Sequence, residues 1–266
     1  MKFTKLFAYP IWPESIKVLW EIDNPQLTGD YLFMVQLLDS TNSILYNSGT
    51  LYNKYSFIIK YTPLLYKEIR QDLQVKVTCT PPYISINNDV VPFSETINLY
   101  HKLDKQEFYN ARELVRKQTL YFEKKIGLRV LVLKAKKFGP VCTYCVDPNT
   151  NTIFNSNCTA CYGTKIKDGY HTPEETWAEI VEAPVNKQTI EVGTIEQKMS
   201  QIRLTNKVLV STRDVIIDII NNNRWEVQNE PSITRYRSFP IDQQFNASLV
   251  SPKSIINKVD VSDYLL

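Results

Sequence analysis

The sequence predicts a mainly β protein with one long helix, and three observations support this fold class. Apolar and polar residues alternate through much of residues 14–100 and again beyond Trp177, as they do in half-buried strands. After His101 the apolar period becomes helical, and two C-x-x-C pairs then follow within residues 140–164. We expect four parts: a β-sandwich over residues 1–100, a helix with a connecting strand over 101–139, a zinc-ribbon-like loop over 140–170, and a barrel-like, β-rich domain over 171–266.

The composition is that of an ordinary globular protein, with 43% hydrophobic and 22% charged residues. No run approaches the ~20 apolar residues that a membrane-spanning helix needs, so we expect no membrane segment. Pro10 and Pro13 interrupt the apolar stretch near the N-terminus, unlike a signal peptide, and we expect a protein made in a cytoplasm that keeps thiols reduced. The net charge of +3 is too small to indicate a polyanionic partner.

Four strand patterns occupy the N-terminal part, at residues 16–22, 31–38, 55–61 and 73–79. The last one alternates strictly and places Cys79 on its apolar face as a small core residue. Pro81 and Pro82 end it, because proline cannot donate a ladder hydrogen bond. Short strands separated by turns predict a β-sandwich. With Trp20 on an early strand and the L-x-V-x-V run as a late one, the segment resembles a fibronectin type III or immunoglobulin-like module.

One amphipathic helix is predicted over residues 104–126. Its apolar residues recur at helical spacing and are Phe108, Ala111, Leu114, Val115 and Phe122. Asp104 and Glu107 fit a capping box at its start, and Gly127 fits its stop. A hydrophobic strand over residues 128–135 follows directly.

Four of the five cysteines form two C-x-x-C pairs, which are Cys142 with Cys145 and Cys158 with Cys161. This spacing is close to that of ribbon-type zinc sites, where each pair forms a tight turn and four thiolates surround the metal at about 2.3 Å. Because four thiolates leave no open position on the metal, the predicted zinc is structural.

The residues around the pairs fit such a loop. Residues 147–149 suit a chain reversal, residues 152–154 suit a short returning strand, and Gly163 suits the tight turn after the second pair. Two disulfides, unliganded buried thiols and a redox-active C-x-x-C are the alternatives. A reducing cytoplasm disfavours the disulfides.

Strand patterns return in the C-terminal part, at residues 201–210, 213–220, 224–228 and 258–261. The run of asparagines at residues 221–223 predicts a turn, so the second and third of these strands are expected to form a hairpin.

Few residues suggest catalysis. His101 and His171 lie far apart in the sequence and are expected on a solvated surface, and no G-x-S-x-G, Walker A or G-x-G-x-x-G run occurs. We therefore expect no enzyme. Lys134, Lys136 and Lys137 precede the cysteines and are candidate phosphate contacts, the alternative being a solvated strand face.

Several of these features follow one another over residues 104–260. They are the helix, a strand ending in K-A-K-K-F-G, the runs V-C-T-Y-C-V-D-P and N-C-T-A-C-Y-G-T, Gly169-Tyr170, Pro173, and the segments D-V-I-I-D and R-W-E-V. In this order they resemble neck or connector proteins of tailed bacteriophages.

That resemblance implies a virion protein that forms a ring, with twelve-fold symmetry, between the portal and the tail. The expected partners are further copies of the chain, the portal, other neck or tail proteins and the DNA in the channel, with no membrane. The N-terminal sandwich is expected to be an outward-facing module. The alternative function is a nucleic-acid-binding zinc-ribbon protein that uses the lysines at residues 134–137, although the low net charge and the large β content count against it.

Overall fold

The computed structural model of the chain describes residues 1–11, 15–23, 29–60, 73–82, 91–99, 104–147, 150, 152–182, 186–190, 193–237 and 239–264. They divide into two compact units. The first unit contains Met1–Arg116, Lys137–Val141 and Arg237–Phe239, and the second contains Lys117–Lys136, Cys142–Tyr236 and Pro240–Leu266. Among the described residues, no helix has the length and apolar character needed to cross a membrane.

The described residues of the first unit form eight strands in two antiparallel sheets. The strands are β1 (Phe3–Ile11), β2 (Ser15–Ile22), β3 (Leu32–Leu38), β4 (Ile44–Asn47), β5 (Leu51–Tyr52), β6 (Ser56–Lys60), β7 (Gln74–Thr80) and β8 (Phe93–Asn98). One sheet has the order β1-β2-β6 and the other has the order β4-β3-β7-β8, with β5 also pairing with β3. All four strands predicted here are confirmed, and the two sheets are consistent with the expected immunoglobulin/fibronectin III-like sandwich.

A single hydrophobic core joins the two sheets. Val18 and Trp20 from β2 and Val75 and Val77 from β7 are fully buried in this one cluster. Cys79 is also fully buried in this core, which confirms its interpretation as a small apolar residue, and burial raises the pKa of its thiol to about 12.

Helix α1 (Lys105–Tyr121) begins with the predicted capping box. The backbone N–H of Glu107 donates to Asp104 Oδ1 at 2.7 Å, and the backbone N–H of Asp104 donates to Glu107 Oε2 at 3.3 Å. A π-helical turn, Phe122–Ile126, continues the helix to Gly127. A Cβ atom on Gly127 would lie 2.6 Å from the carbonyl oxygen of Phe122, so the stop requires glycine. The predicted apolar residue Leu114 is instead exposed.

In the second unit, nine strands lie within the part of the chain that the structure describes. They are β9 (Leu128–Leu133), β10 (Glu174–Glu182), β11 (Asn186–Ile190), β12 (Gly193–Gln197), β13 (Met199–Thr205), β14 (Val215–Asp218), β15 (Arg224–Val227), β16 (Ser232–Tyr236) and β17 (Phe239–Leu249). Six of them close into a barrel in the order β13-β10-β9-β14-β15-β17, because β17 also pairs with β13. The predicted hairpin of β14 and β15 is confirmed. The C-terminal part, predicted to be barrel-like, is therefore a closed barrel, in which each of these six strands pairs with a neighbour on both sides.

The strands β9 and β14 are buried on both faces. Val130 and Val132 point into the barrel core with Ile216, while Leu131 and Val215 lie in a second cluster outside it. Burial on both sides explains why residues 130–133 of β9 read as a continuous apolar run, V-L-V-L, rather than an alternation.

The C-terminal segment covers part of this outer cluster, where Ile256, Val259 and Val261 pack. The prediction of a strand over residues 258–261 is wrong, since this stretch follows a 3-10 turn, Ile255–Lys258. The guanidinium of Arg224 explains the difference. It donates to the carbonyl oxygens of Ile256 at 2.5 Å and Val259 at 3.0 Å. In a strand, these carbonyl oxygens would instead accept hydrogen bonds from a neighbouring strand.

Candidate metal centre

The connection from β9 to β10 carries the four paired cysteines, and residues 142–170 of it are called the cysteine loop below. The backbone N–H of Lys136 donates to the carbonyl of Gly169 at 2.9 Å, and that of His171 donates to the carbonyl of Lys134 at 2.8 Å. An isolated bridge joins Ala135 to Tyr170 between these bonds. The loop therefore leaves and re-enters the barrel as a short antiparallel ladder.

The first cysteine pair lies in a small hairpin. Val146 forms a bridge with Ile153, and the backbone N–H of Phe154 donates to the carbonyl of Cys145 at 3.0 Å. The N–H of Asp147 donates to the carbonyl of Thr152 at 3.0 Å. The predicted return at residues 152–154 is thus present as a single bridge, and residues 148 and 149 of the predicted reversal lie outside the described residues.

The second cysteine pair forms a tight turn that ends on Gly163. The backbone N–H of Tyr162 donates to the carbonyl of Cys158, and that of Thr164 donates to the carbonyl of Cys161, both at 2.9 Å. Gly163 has a φ of 79°, and a Cβ atom there would meet Ser156 O only at 3.6 Å. The turn therefore selects glycine by its backbone conformation and not by lack of space.

The four sulfurs converge. Cys142, Cys145, Cys158 and Cys161 are all buried, and their Sγ atoms lie within 4.8 Å of one another. The Sγ–Sγ distance is 3.8 Å between Cys142 and Cys158 and 3.1 Å between Cys145 and Cys161. A tetrahedron of thiolates around zinc at about 2.3 Å has edges of about 3.8 Å, so the donor set fits a tetrahedral metal ion. The predicted convergence of these residues is confirmed.

All five cysteines are free in this structure. The 3.1 Å between the closest sulfurs is well beyond the ~2.05 Å of a disulfide bond. The arrangement favours metal binding over the two disulfides that the sequence left open.

Backbone amides point at the first sulfur of each pair. Burial raises the pKa of Cys142, while a hydrogen bond from the N–H of Tyr144 acts in the opposite direction. Burial also tends to raise the pKa of Cys158, but N–H groups of Ala160 and Cys161 and the neighbouring thiols outweigh it and lower that pKa to about 7. Donors aimed at sulfur stabilise a thiolate, which is the form that binds a metal.

The second sulfur of the first pair behaves differently. The pKa of Cys145 is raised, first by burial and then by hydrogen bonding with the thiol of Cys161. A metal ion that binds all four sulfurs must displace the protons from such thiols, so binding releases protons. Once bound, the metal has four protein ligands and no open position for a substrate.

Aromatic residues attach the cysteine loop to the outside of the barrel. Tyr162 and Tyr170 pack in the outer cluster with Leu131 and Val215, and Arg213 Nη2 donates to the carbonyl of Gly163 at 3.3 Å. The metal site therefore lies on a rigid support formed by strands β9 and β14.

The three lysines predicted as phosphate contacts are each paired with a carboxylate. The ammonium of Lys134 is buried and donates to Asp214 Oδ2 at 2.5 Å. In the same unit, Lys136 Nζ lies 3.2 Å from Asp168 Oδ2. In the first unit, Lys137 Nζ lies 2.9 Å from Glu21 Oε1. Burial keeps phosphate away from Lys134, and ion pairing reduces the positive charge that the other two present.

Sequence reasoning missed two features near the site. The first is Asp214, the partner of Lys134. It lies 80 positions away in the sequence, and its local pattern is only that of a polar residue before the apolar run V-I-I. The second is His171, which is buried next to the loop base and not on the solvated surface that the sequence predicts. His101 lies outside the described residues.

Comparison with known proteins finds no protein-family model and no curated protein that matches this chain. The fold and the cysteine site are therefore the observations from which a function is inferred.

Proposed function

We propose that this chain is a structural subunit of a tailed-bacteriophage particle, and that it forms part of the ring in the neck between the portal and the tail. Zinc is the metal proposed for Cys142, Cys145, Cys158 and Cys161, because an all-thiolate tetrahedral site suits it. The protein would be made in the host cytoplasm and would act without catalysing a reaction.

One observation carries the proposal. The four buried sulfurs form a closed ligand set on the outer face of a closed barrel. Such a set contributes folding free energy and cannot activate water or a substrate, so it suits a subunit whose task is to hold its shape under load. The order of helix, strand, cysteine runs and hairpin that resembles neck proteins supports the same conclusion.

Rigid β-domains also suit a ring. Each copy in a ring contacts two neighbours through different surfaces, and the contacts close only if the subunit keeps a fixed geometry. A β-sandwich, a closed barrel and a metal-braced loop are each elements that keep a fixed geometry. The nucleic-acid alternative loses its main support, because the lysines on which it depends are paired with Asp214, Asp168 and Glu21.

The test is the copy number of the protein in purified particles. Virus-like particles from the source culture are isolated on a density gradient, and quantitative mass spectrometry compares this protein with the capsid protein. We expect a small, fixed ratio consistent with one ring per particle. Absence from the particles, with the protein recovered only in the soluble fraction, would contradict the proposal.

A further inference from the structure

The four sulfurs of the cysteine loop contact each other across the two C-x-x-C pairs. Cys145 Sγ lies 3.1 Å from Cys161 Sγ, and Cys142 Sγ lies 3.8 Å from Cys158 Sγ. We call the first the inner contact, because both residues are fully buried, and the second the outer contact. Four cysteines allow three sets of two disulfides, and both contacts belong to the same set. The geometry therefore favours one pairing of the three.

Backbone hydrogen bonds hold both C-x-x-C turns to one segment of the loop. The N–H of Cys142 donates to the carbonyl of Lys165 at 2.8 Å, so the first turn is fixed to this segment. The N–H of Asp168 donates to the carbonyl of Ala160 at 2.8 Å, which fixes the second turn to the same segment. The arrangement of the two turns opposite each other is therefore supported by the backbone as well as by the sulfurs.

A disulfide at either contact would close the loop as a metal ion does. Each contact joins residues that are 16 positions apart. A covalent bond over such a span restricts the unfolded chain and so stabilises the folded loop. A disulfide within one C-x-x-C pair would close only its own turn and would leave the two turns unconnected. Bonds between the two pairs are therefore the ones that can replace the metal.

The proposed function brings the protein into two redox environments. The cytoplasm keeps thiols reduced, which is the form that binds zinc, whereas a particle outside the cell is exposed to oxidising conditions. A zinc ion lost outside the cell would leave the loop without its crosslink. This step rests on the proposed function and on the proposed zinc ion.

We propose that the cysteine loop has a second crosslinked state, in which the disulfides Cys145–Cys161 and Cys142–Cys158 replace a lost zinc ion. The oxidant is a low-molecular-weight disulfide such as oxidised glutathione. The loop is thus closed by zinc under reducing conditions and by disulfides under oxidising ones.

The outer contact reacts by thiol–disulfide exchange in two steps. The thiolate of Cys158, the most exposed of the four residues at 7%, attacks a glutathione sulfur, forms a mixed disulfide and releases one glutathione thiolate. The thiolate of Cys142 then attacks the Cys158 sulfur and releases the second glutathione thiolate. Two cysteine thiols are oxidised to one disulfide, and their protons pass to the two glutathione thiolates. A second molecule of the oxidant closes the inner contact in the same way, once local opening exposes it.

The test uses the full-length protein, which is loaded with zinc and then treated with a chelator. One sample contains oxidised glutathione and a parallel sample contains reduced glutathione. After free thiols are alkylated, chymotrypsin cleaves behind Tyr144 and Phe154 and so separates Cys142, Cys145 and the second C-x-x-C pair. Tandem mass spectrometry without reduction then locates each bond. We expect the two proposed disulfides in the oxidised sample and free thiols in the reduced one.

The melting temperature shows whether the disulfides do the work of the metal. We expect the reduced, metal-free protein to melt below the zinc-loaded protein, and the oxidised, metal-free protein to recover most of that difference. Cys79→Ala is the control, because Cys79 lies in the sandwich core and its removal should change neither result. Cys161→Ser removes the inner contact and should still form the outer disulfide, with Cys145 left as a free thiol.

Four outcomes in wild type would overturn this second state: bonds within the C-x-x-C pairs, bonds of Cys142 with Cys161 and Cys145 with Cys158, thiols that stay reduced, or an oxidised protein that melts no higher than the reduced, metal-free one. Zinc content and particle copy number separate this inference from the proposed function. A protein that binds zinc and occurs in particles, but forms neither proposed disulfide, removes this inference alone. Both disulfides in a protein that is absent from particles remove the neck assignment alone.

Discussion

Lys134 and Asp214 adjoin the Leu133–Val215 pair at the ends of strands β9 and β14, and they form a buried ion pair. The same carboxylate accepts from the backbone N–H of Ala135 at 2.9 Å and of Ser211 at 2.7 Å. The carbonyl of Lys134 in turn accepts from His171, where the cysteine loop returns. The pair therefore ties the base of the metal site to the barrel.

Asp214→Asn should leave the Lys134 ammonium buried without a counter-ion and should lower the free energy of unfolding by about 3–5 kcal/mol. Urea denaturation followed by tryptophan fluorescence measures the effect, since Trp225 lies in the barrel core. The double variant with Lys134→Met should recover part of the loss, because it removes both charges.

The exposed pair of Arg129 and Glu175, at 2.7 Å, serves as the control for that substitution. Glu175→Gln should lower the free energy of unfolding by no more than about 1 kcal/mol, because solvent screens such a pair. An equal effect of Asp214→Asn and Glu175→Gln would contradict the role given to the buried pair.

Phe138 belongs to the sandwich core although it follows the barrel strand β9 in sequence. Its ring centroid lies 5.5 Å from that of Tyr31 and 5.3 Å from that of Phe33, and the residue is buried. Phe138→Ala should lower the free energy of unfolding of the sandwich by about 3–5 kcal/mol, through lost burial and a new cavity.

Hydrogen exchange of the strands β3 and β7 reports this effect. Phe154→Ala is a control of the same chemistry at an exposed position and should leave the exchange of these strands unchanged. Equal protection in the Phe138→Ala variant and in wild type would show that the ring contributes nothing to the core.

Two glycines of the cysteine loop should differ in their tolerance of a side chain. At Gly163 only the positive φ disfavours a side chain, because a Cβ atom there has space. Gly163→Ala should therefore lower the free energy of unfolding by about 1–2 kcal/mol. At Gly169 the φ is also positive, at 62°, and a Cβ atom would lie 2.6 Å from the carbonyl oxygen of Cys161. Gly169→Ala should therefore weaken metal retention more than Gly163→Ala does.

Competition with a chromogenic chelator ranks the two glycine variants by the rate and extent of metal loss. The expected order of retention is wild type, then Gly163→Ala, then Gly169→Ala. The reverse order of the two variants would contradict the close approach of Gly169 to Cys161.

Glu21 contributes to the stability of the sandwich in a pH-dependent way. Burial tends to raise its pKa, but hydrogen bonds and charges of Lys137 and Lys5 outweigh burial and lower it. Since the folded pKa lies below the unfolded value of about 4.3, the contribution is present above that value and is lost as pH falls through the folded pKa.

Glu21→Gln should accordingly destabilise the protein at neutral pH, by up to about 1 kcal/mol for such a partly exposed pair. The difference between variant and wild type should shrink as the solution is acidified. Urea midpoints at a series of pH values measure it, and a difference that stays constant down to acid pH would contradict the account.

Local patterns predicted several of the strands, the helix and the grouping of the four cysteines, because each depends on residues close in sequence. The alternation over residues 73–79, the capping box of Asp104 and Glu107, and the two C-x-x-C pairs are all of this kind. The pairing of β13 with β17, which closes the barrel, and the pairing of Lys134 with Asp214 depend on residues far apart. Tertiary contacts also determine the burial of β9 on both faces and the turn near Val259 that Arg224 stabilises. The local periodicity of the sequence does not indicate either one.

Metal content per chain, measured by mass spectrometry of the purified protein, tests whether Cys142, Cys145, Cys158 and Cys161 hold one structural zinc ion. We predict one zinc ion per chain in wild type and in Cys79→Ala, whose thiol lies in the sandwich core. Cys145→Ser should lose the zinc and melt at a lower temperature, because a closed site has lost one thiolate. Zinc content unchanged by Cys145→Ser, or a wild-type protein that binds no metal at these four thiols, would contradict the claim.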